Sequence, residues 1–178
     1  VGFIQNVNSL GQSNWFALVF QEPRAFYRRL QMNVNQWNAW YSDGQKAGHG
    51  GNFNMNSQLK NMWFVYAGVG SEIGSYCGAC LRGGPLLREQ PSLQGWAGFG
   101  GDSRKRIVPE FNLNWGRGDA GRSSRMSFGP AVSVRVASRF NATLGAHYSR
   151  NVDNRQWVGN FGQAGNDTTH YTVAHLDQ

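Results

Sequence analysis

The sequence predicts an all-β fold, an antiparallel meander of about ten strands, and three observations carry that expectation. Apolar and polar side chains alternate along segment after segment. The clearest case runs from Arg125 to Val136, with Met126, Phe128, Pro130, Val132, Val134 and Val136 on one side and Arg125, Ser127, Gly129, Ala131, Ser133 and Arg135 on the other. Successive side chains of a strand point to opposite faces, so one face is apolar and the other polar. These stretches of about ten residues recur between Gly-, Asn- and Asp-rich breaks, the pattern of a membrane-spanning β-barrel. Charged residues make up only 15% of the chain, below the roughly 25% of soluble domains. Aromatic residues reach 13%, and there are 24 glycines.

Taken in order, Val1–Gln5 reads as the end of a strand, Asn6–Ser13 as a polar break and Asn14–Gln21 as a strand. Pro23 fixes its own φ and removes a donor, which places a tight break at Glu22–Arg24. Phe26–Tyr41 reads as a long strand whose phase slips: Leu30, Met32 and Val34 share one face, Trp37, Ala39 and Tyr41 the other. A β-bulge, or a change in what the two faces touch, accounts for such a slip. Ser42–Gly51 reads as a loop. Asn52–Gly70 is longer than the 9–11 residues a membrane crossing needs, so a turn is placed near Lys60-Asn61, with Trp63 and Tyr66 near an interface.

Gly70–Pro91 is the longest irregular segment. Ser92–Gly100 and Ile107–Trp115 form a hairpin about Gly101–Lys105, and Gly116–Arg122 is a glycine-rich loop before the Arg125–Val136 strand. Ser138–Phe140 is a short turn, Ala142–Ser149 a strand, Asn151–Asp153 a loop, Gln156–Phe161 a strand, Gly162–Asp167 a break and Thr169–Gln178 the last strand. Pro109 and Pro130 each cost their strand a ladder hydrogen bond.

No run approaches the roughly 18 apolar residues of a transmembrane helix. A mean hydropathy of −0.51 is compatible with barrel strands, which give half their residues to lipid. The chain shows no signal peptide and no starting Met, and is expected to be a fragment, residues 1–178, of a larger protein. The +7 charge is scattered apart from Arg104-Lys105-Arg106. Nucleic-acid binding wants a concentrated stripe, so nucleic acid is not an expected partner.

The polar faces supply the candidate site. Asn52, Asn54, Asn56 and Gln58 lie on one face of their strand, where unpaired amides are costly against lipid or a dry core but tolerable against water. With Glu110, Asn112, Asn114, Arg125, Arg135 and His147 they are expected to line a wet lumen. Arg82, beside a loop expected to fold against the barrel mouth, is a further lumen candidate, expected to pair with a lumen carboxylate, with ligand binding as the alternative.

Cys77 and Cys80 stand as Cys-x-x-Cys without the βαβ context of a redox motif or the second ligand pair of a zinc site. A disulfide closing a small loop and two free thiols both remain open. No catalytic residue, metal or other cofactor is expected. His49, His147, His170 and His175 with Asp102, Asp153 and Asp167 fall into no hydrolase signature, and no phosphate-cradling motif is present.

From about Phe3 onward the chain resembles the C-terminal part of a bacterial family of unknown function. The residues that carry the resemblance are Leu81-Arg82-Gly83-Gly84-Pro85 and Gly101-Asp102-Ser103-Arg104-Lys105. Asn35-Gln36-Trp37, Ser149-Arg150-Asn151-Val152, Gln156-Trp157-Val158 and Ala174-His175-Leu176-Asp177-Gln178 add to it. Members of that family join an N-terminal domain similar to family-nine carbohydrate-binding modules to a C-terminal outer-membrane β-barrel. The resemblance implies a bacterial outer-membrane location, lipid as a partner and carbohydrate as a partner of the absent N-terminal domain. It also implies further strands beyond Gln178. The leading expectation is a non-enzymatic scaffold, channel or uptake partner. A membrane-associated hydrolase and a soluble carbohydrate-binding β-sandwich are the alternatives.

Overall fold

A computed structural model describes residues 8–137, 140–162, 165 and 168–178. Twelve strands form: β1 Ser9–Phe20, β2 Tyr27–Tyr41, β3 Lys46–Leu59, β4 Phe64–Glu72, β5 Tyr76–Cys77, β6 Leu87–Arg88, β7 Ser92–Gly100, β8 Ile107–Gly118, β9 Ser123–Ala137, β10 Phe140–Gly145, β11 Tyr148–Gly162 and β12 Thr169–Asp177. The described residues contain no α-helix, only a 3-10 turn at Asp119–Gly121. Ten strands make one antiparallel meander, ordered β1-β2-β3-β4-β7-β8-β9-β11-β12, with β10 also on β9. β5 and β6 form a separate small hairpin.

β10 and β11 are two halves of one leg. Gly145 pairs with Ala131 and Tyr148 with Phe128, so both halves keep the same register along β9. The gap between them lies opposite Pro130. The Ala146 N–H donates to the Pro130 carbonyl at 3.0 Å, but proline has no N–H to return the bond. The meander therefore has nine legs, and β1 and β12 run in the same direction at its two edges. They are not paired with each other.

The registers assign every side chain to a face. One face carries the rows Leu18–Met32–Met55–Ala67–Ala97–Leu113–Phe128–Tyr148 and Phe16–Val34–Phe53–Val69–Gly95–Trp115–Met126–Arg150, the second ending at its β11 edge on an arginine that is ion-paired with Asp177. Nothing packs on this face among the described residues: Phe16 is 60% exposed, Leu18 47% and Leu144 77%. The opposite face carries Ala17–Asn33–Asn54–Gly68–Trp96–Asn114–Ser127–Ser149 and Trp15–Asn35–Asn52–Gly70–Gln94–Gly116–Arg125–Asn151.

The sheet curls toward its amide-rich face. Tyr41 of β2 donates its hydroxyl to the Tyr76 carbonyl, and Arg155 of β11 donates to the carbonyl of Arg88, the cross-strand partner of Tyr76. A flat sheet would set β2 and β11 six strand spacings, about 29 Å, apart. Two paired residues about 5.5 Å apart reach both only if the sheet is strongly curved.

Several sequence expectations are corrected. β3 begins at Lys46, so the loop expected over Ser42–Gly51 shrinks to a tight turn, with Gly44 N donating to the Tyr41 carbonyl. Cross-strand neighbours take up the space those glycines leave; Trp37 lies over Gly50. β1 likewise begins at Ser9, inside the expected break. Asn151–Asp153 lies within β11, where the break is a register shift between Asp153 and Gln156.

The phase slip in β2 is not a mid-strand bulge, since its register on β3 runs unbroken from Arg29 to Ala39. The change is instead in what the faces touch: beyond Val34 the apolar face turns polar, with Gln36 and Asn38 bonded to Asn14 and Gln12. The expected strand end at Val1–Gln5, the turn at Ser138-Arg139, most of Gly162–Asp167 and the side chain of Val136 lie outside the described residues.

Candidate functional site

The amide face is built by β2 and β3, whose alternating Asn residues meet in register. Asn35 donates to Asn52 (2.8 Å), Asn33 to Asn54 (2.8 Å) and Asn54 to Asn52 (2.9 Å). Gln31 (2.8 Å) and the Trp15 indole (3.3 Å) both donate to the Asn33 side-chain oxygen, and Asn33 is buried. Each buried amide thus finds partners on its own face, which removes the desolvation cost of an unpaired polar group.

Aromatic rings lie across glycines on the same face: Trp37 over Gly50, Trp96 over Gly68 and Tyr66 over Gly98. A Cβ at Gly68 would meet the Trp96 indole and Asn54 Cβ, so glycine is what lets this indole lie against the sheet. Trp37 is further fixed by donating Nε1–H to Glu72 at 3.1 Å.

Asn56 and Gln58 share the face. The Gln58 amide is 4.0 Å from the Met62 sulfur. Asn112 donates to the Gly129 carbonyl at 3.1 Å, Arg125 reaches Gln94 at 3.5 Å and Arg135 the Ser103 carbonyl at 3.4 Å. Asn114 and Glu110 are exposed on this face and His147 is exposed in the gap between β10 and β11. The candidates therefore share one curved wall, although they are spread along its height and converge on no single point.

The connection between β4 and β7, residues 73–91, crosses this face at one end of the sheet. Cys77 and Cys80 are joined by a disulfide within it. With their sulfurs bonded to each other they offer no thiolate to a metal, although a Glu89 oxygen lies within 4.8 Å. The loop is tied to β2 through Tyr41, whose hydroxyl accepts from Gly78 N at 2.8 Å. It is tied to β11 by Arg155, and by Asn160, which donates to the Leu81 and Arg82 carbonyls.

The expected pairing of Arg82 with a lumen carboxylate is corrected. Its guanidinium stacks 4.1 Å from the Trp157 ring centroid, a cation–π contact, and Arg82 makes no ion pair among the described residues. Beneath the loop is a cavity of about 380 Å³ lined by Glu72, Ser75, Glu89, Asp119, Asp153 and Arg155 among others.

Asp119 closes that end and was not legible as a site residue in the sequence. Buried, and in the left-handed region at φ 49°, it pairs with Arg155 (2.9 Å) and Arg122 (3.2 Å) and accepts from Asn154. Burial is the largest single influence and pushes its carboxyl up. The Asn154 hydrogen bond and the Arg155 and Arg122 cations together outweigh burial and hold it below the usual carboxylate range. Its signal was local: an Asp in a Gly-Asp-Ala-Gly connection with Arg122 three residues on.

At the other end, Asp102 is held down to about 2 by the side-chain and backbone hydrogen bonds of Arg104. Neither His49 nor His147 is hydrogen-bonded to a carboxylate. His49 packs edge-on against Trp40 at 5.1 Å, and Asp167 lies outside the described residues. The site is thus an amide-rich hydrogen-bonding wall with aromatic surfaces, on which, among the described residues, neither of these two histidines is bonded to a carboxylate.

Fold and site together define an all-β antiparallel meander, curled about an amide-rich face and carrying an exposed apolar face. Comparison with protein-family models, curated proteins and solved structures finds no match for the chain.

Proposed function

We propose that this chain is a sector of a bacterial outer-membrane β-barrel, non-enzymatic, acting as scaffold, channel or uptake partner of an attached glycan-binding module. One observation carries the reading: from β1 to β9 the apolar rows form a field on the outside of the curl with no protein layer over them among the described residues, while the inside is lined by amides. Lipid is the solvent that suits such an outer face and water the one that suits such an inner face.

Strand length agrees. On β9 the apolar positions run from Met126 to Val134, the nine or so residues that span a bilayer when tilted. Nine legs leave the two edge strands parallel. An all-antiparallel cylinder takes an even number, so the reading adds an odd number of strands from outside these residues. The resemblance to the family with a carbohydrate-binding N-terminal domain supplies the proposed glycan partner. A soluble sandwich would need a second sheet on the apolar face, whereas the β5–β6 hairpin lies on the opposite one. A hydrolase would need a base beside a nucleophile or water; among the described residues neither His49 nor His147 is hydrogen-bonded to a carboxylate, and Asp177, the carboxylate near His175, is already bound by Arg150.

Alkaline carbonate extraction of native membranes tests the reading: the full-length protein stays in the membrane pellet, and its release without detergent overturns the proposal. Conductance in planar bilayers then separates channel from scaffold.

A further inference from the structure

The sequence scatters its positive charge, but the fold gathers it. Residues 21–26, 60–63 and 101–106 form the turns at one end of the sheet, and 42–45, 73–91 and 119–122 the connections at the other. With each strand residue assigned to the nearer end, the turn end holds eight Lys and Arg against three Asp and Glu among the described residues, and the loop end holds eight against six. Five of the seven net charges are therefore at the turn end.

Pairing sharpens the contrast. At the loop end Arg122, Arg155 and Arg150 are in ion pairs. At the turn end, Arg104 with Asp102 is the ion pair among the described residues. Arg24, Lys60, Lys105 and Arg106 project from the turns, exposed and in no ion pair among the described residues, and Arg28 and Arg135 stand just inside.

These turns form one rim. Lys60 N donates to the Phe26 carbonyl at 3.0 Å, and Arg135 N to the Arg106 carbonyl at 2.7 Å. Between them Trp63 stacks on Phe99 (5.4 Å) and Phe99 on Phe111 (6.0 Å), while Phe26, Tyr27 and Phe20 cluster at the first turn. Phe20, Phe99 and Phe111 lie on the apolar face, immediately inside the cationic turns.

We infer that this rim binds the phosphate of anionic lipid headgroups. An aromatic band favours the depth between acyl chains and water, which places the unpaired cations of the turns at phosphate level. A free anion would gain nothing from the aromatic layer; a lipid meets both at once. The inference rests on the membrane reading above and adds the leaflet contact and its headgroup chemistry.

The test uses the full-length protein in phosphatidylcholine vesicles at low salt, with trace spin-labelled phosphatidylglycerol or phosphatidylcholine. The wild type associates with the phosphatidylglycerol label several-fold more strongly. Arg24→Ser/Lys60→Ser/Lys105→Ser/Arg106→Ser brings the two labels toward equality, each lost charge contributing at most about fivefold. Lys46→Ser/Arg117→Ser at the loop end leaves the preference unchanged. Equal association of both labels with membrane-embedded wild type, or equal loss from the loop-end variant, overturns the inference alone. Inorganic phosphate that erases the preference where chloride of matched ionic strength does not marks a free-phosphate site and also overturns it. A protein retained by no vesicle overturns the barrel reading, and this inference with it.

Discussion

Leu113→Arg places a cation in the middle of the apolar field. Leu113 lies between Ala97 and Phe128, with the Trp115 row on one side of it and the Phe111 row on the other, so it sits well inside the belt. Arg at the bilayer midplane of a barrel costs about 2–4 kcal/mol, a factor of about 30 to 1000 in the folding equilibrium. Asn114→Arg is the matched control. It is one residue along the same strand, on the opposite face, exposed, and free of the bond that ties Asn112 to Gly129. It is expected to cost about 0.5 kcal/mol or less, as surface changes do. Urea titration of folding into vesicles, followed by heat-modifiable gel mobility and tryptophan fluorescence, measures both. Equal and small effects of the two substitutions would refute the reasoning, because a water-facing apolar surface tolerates either.

Gly68→Ala forces a methyl into the Trp96 indole and is expected to destabilise by about 1–3 kcal/mol; Gly68→Ala/Trp96→Ala, measured in the same titration, costs less than the sum of the singles. Cys77→Ser/Cys80→Ser opens a small loop and costs about 2 kcal/mol on the chain-entropy account, seen as faster proteolysis within residues 73–91. The folded-state pKa of Asp119 lies below its ordinary 3.8, so its stabilisation of the loop end is full above that value and lost as pH falls below it. Hydrogen exchange of Asn154 and Arg155 against pH checks this, and Asp119→Asn flattens the profile.

The period-two alternation in β8 and β9 was legible because neither needs anything beyond local chemistry: one side chain in two is apolar. The turns at Lys60-Asn61 and Gly101–Lys105 were legible for the same reason. The start of β3 was not. Gly48, Gly50 and Gly51 lack strand propensity of their own, and the ring of Trp37 on the neighbouring strand is what fills the space at Gly50. The slip in β2 carried real information, but about its surroundings rather than its backbone, since it marks where the apolar field ends. The site was legible as an amide face and illegible as a covered one. Arg82 meets Trp157, and Arg88 meets Arg155, across 67 or more residues, and no local pattern encodes the curl that joins them. Asp119 was hidden likewise, since two of its partners, Asn154 and Arg155, come from β11.

Accessibility of nitroxide labels placed singly from Ser124 to Val134 in the vesicle-embedded full-length protein puts the whole account at stake. Molecular oxygen is expected to reach the labels at 126, 128, 132 and 134, and a water-soluble nickel chelate those at 125, 127 and 133. Chelate access that is the same at odd and even positions would contradict it.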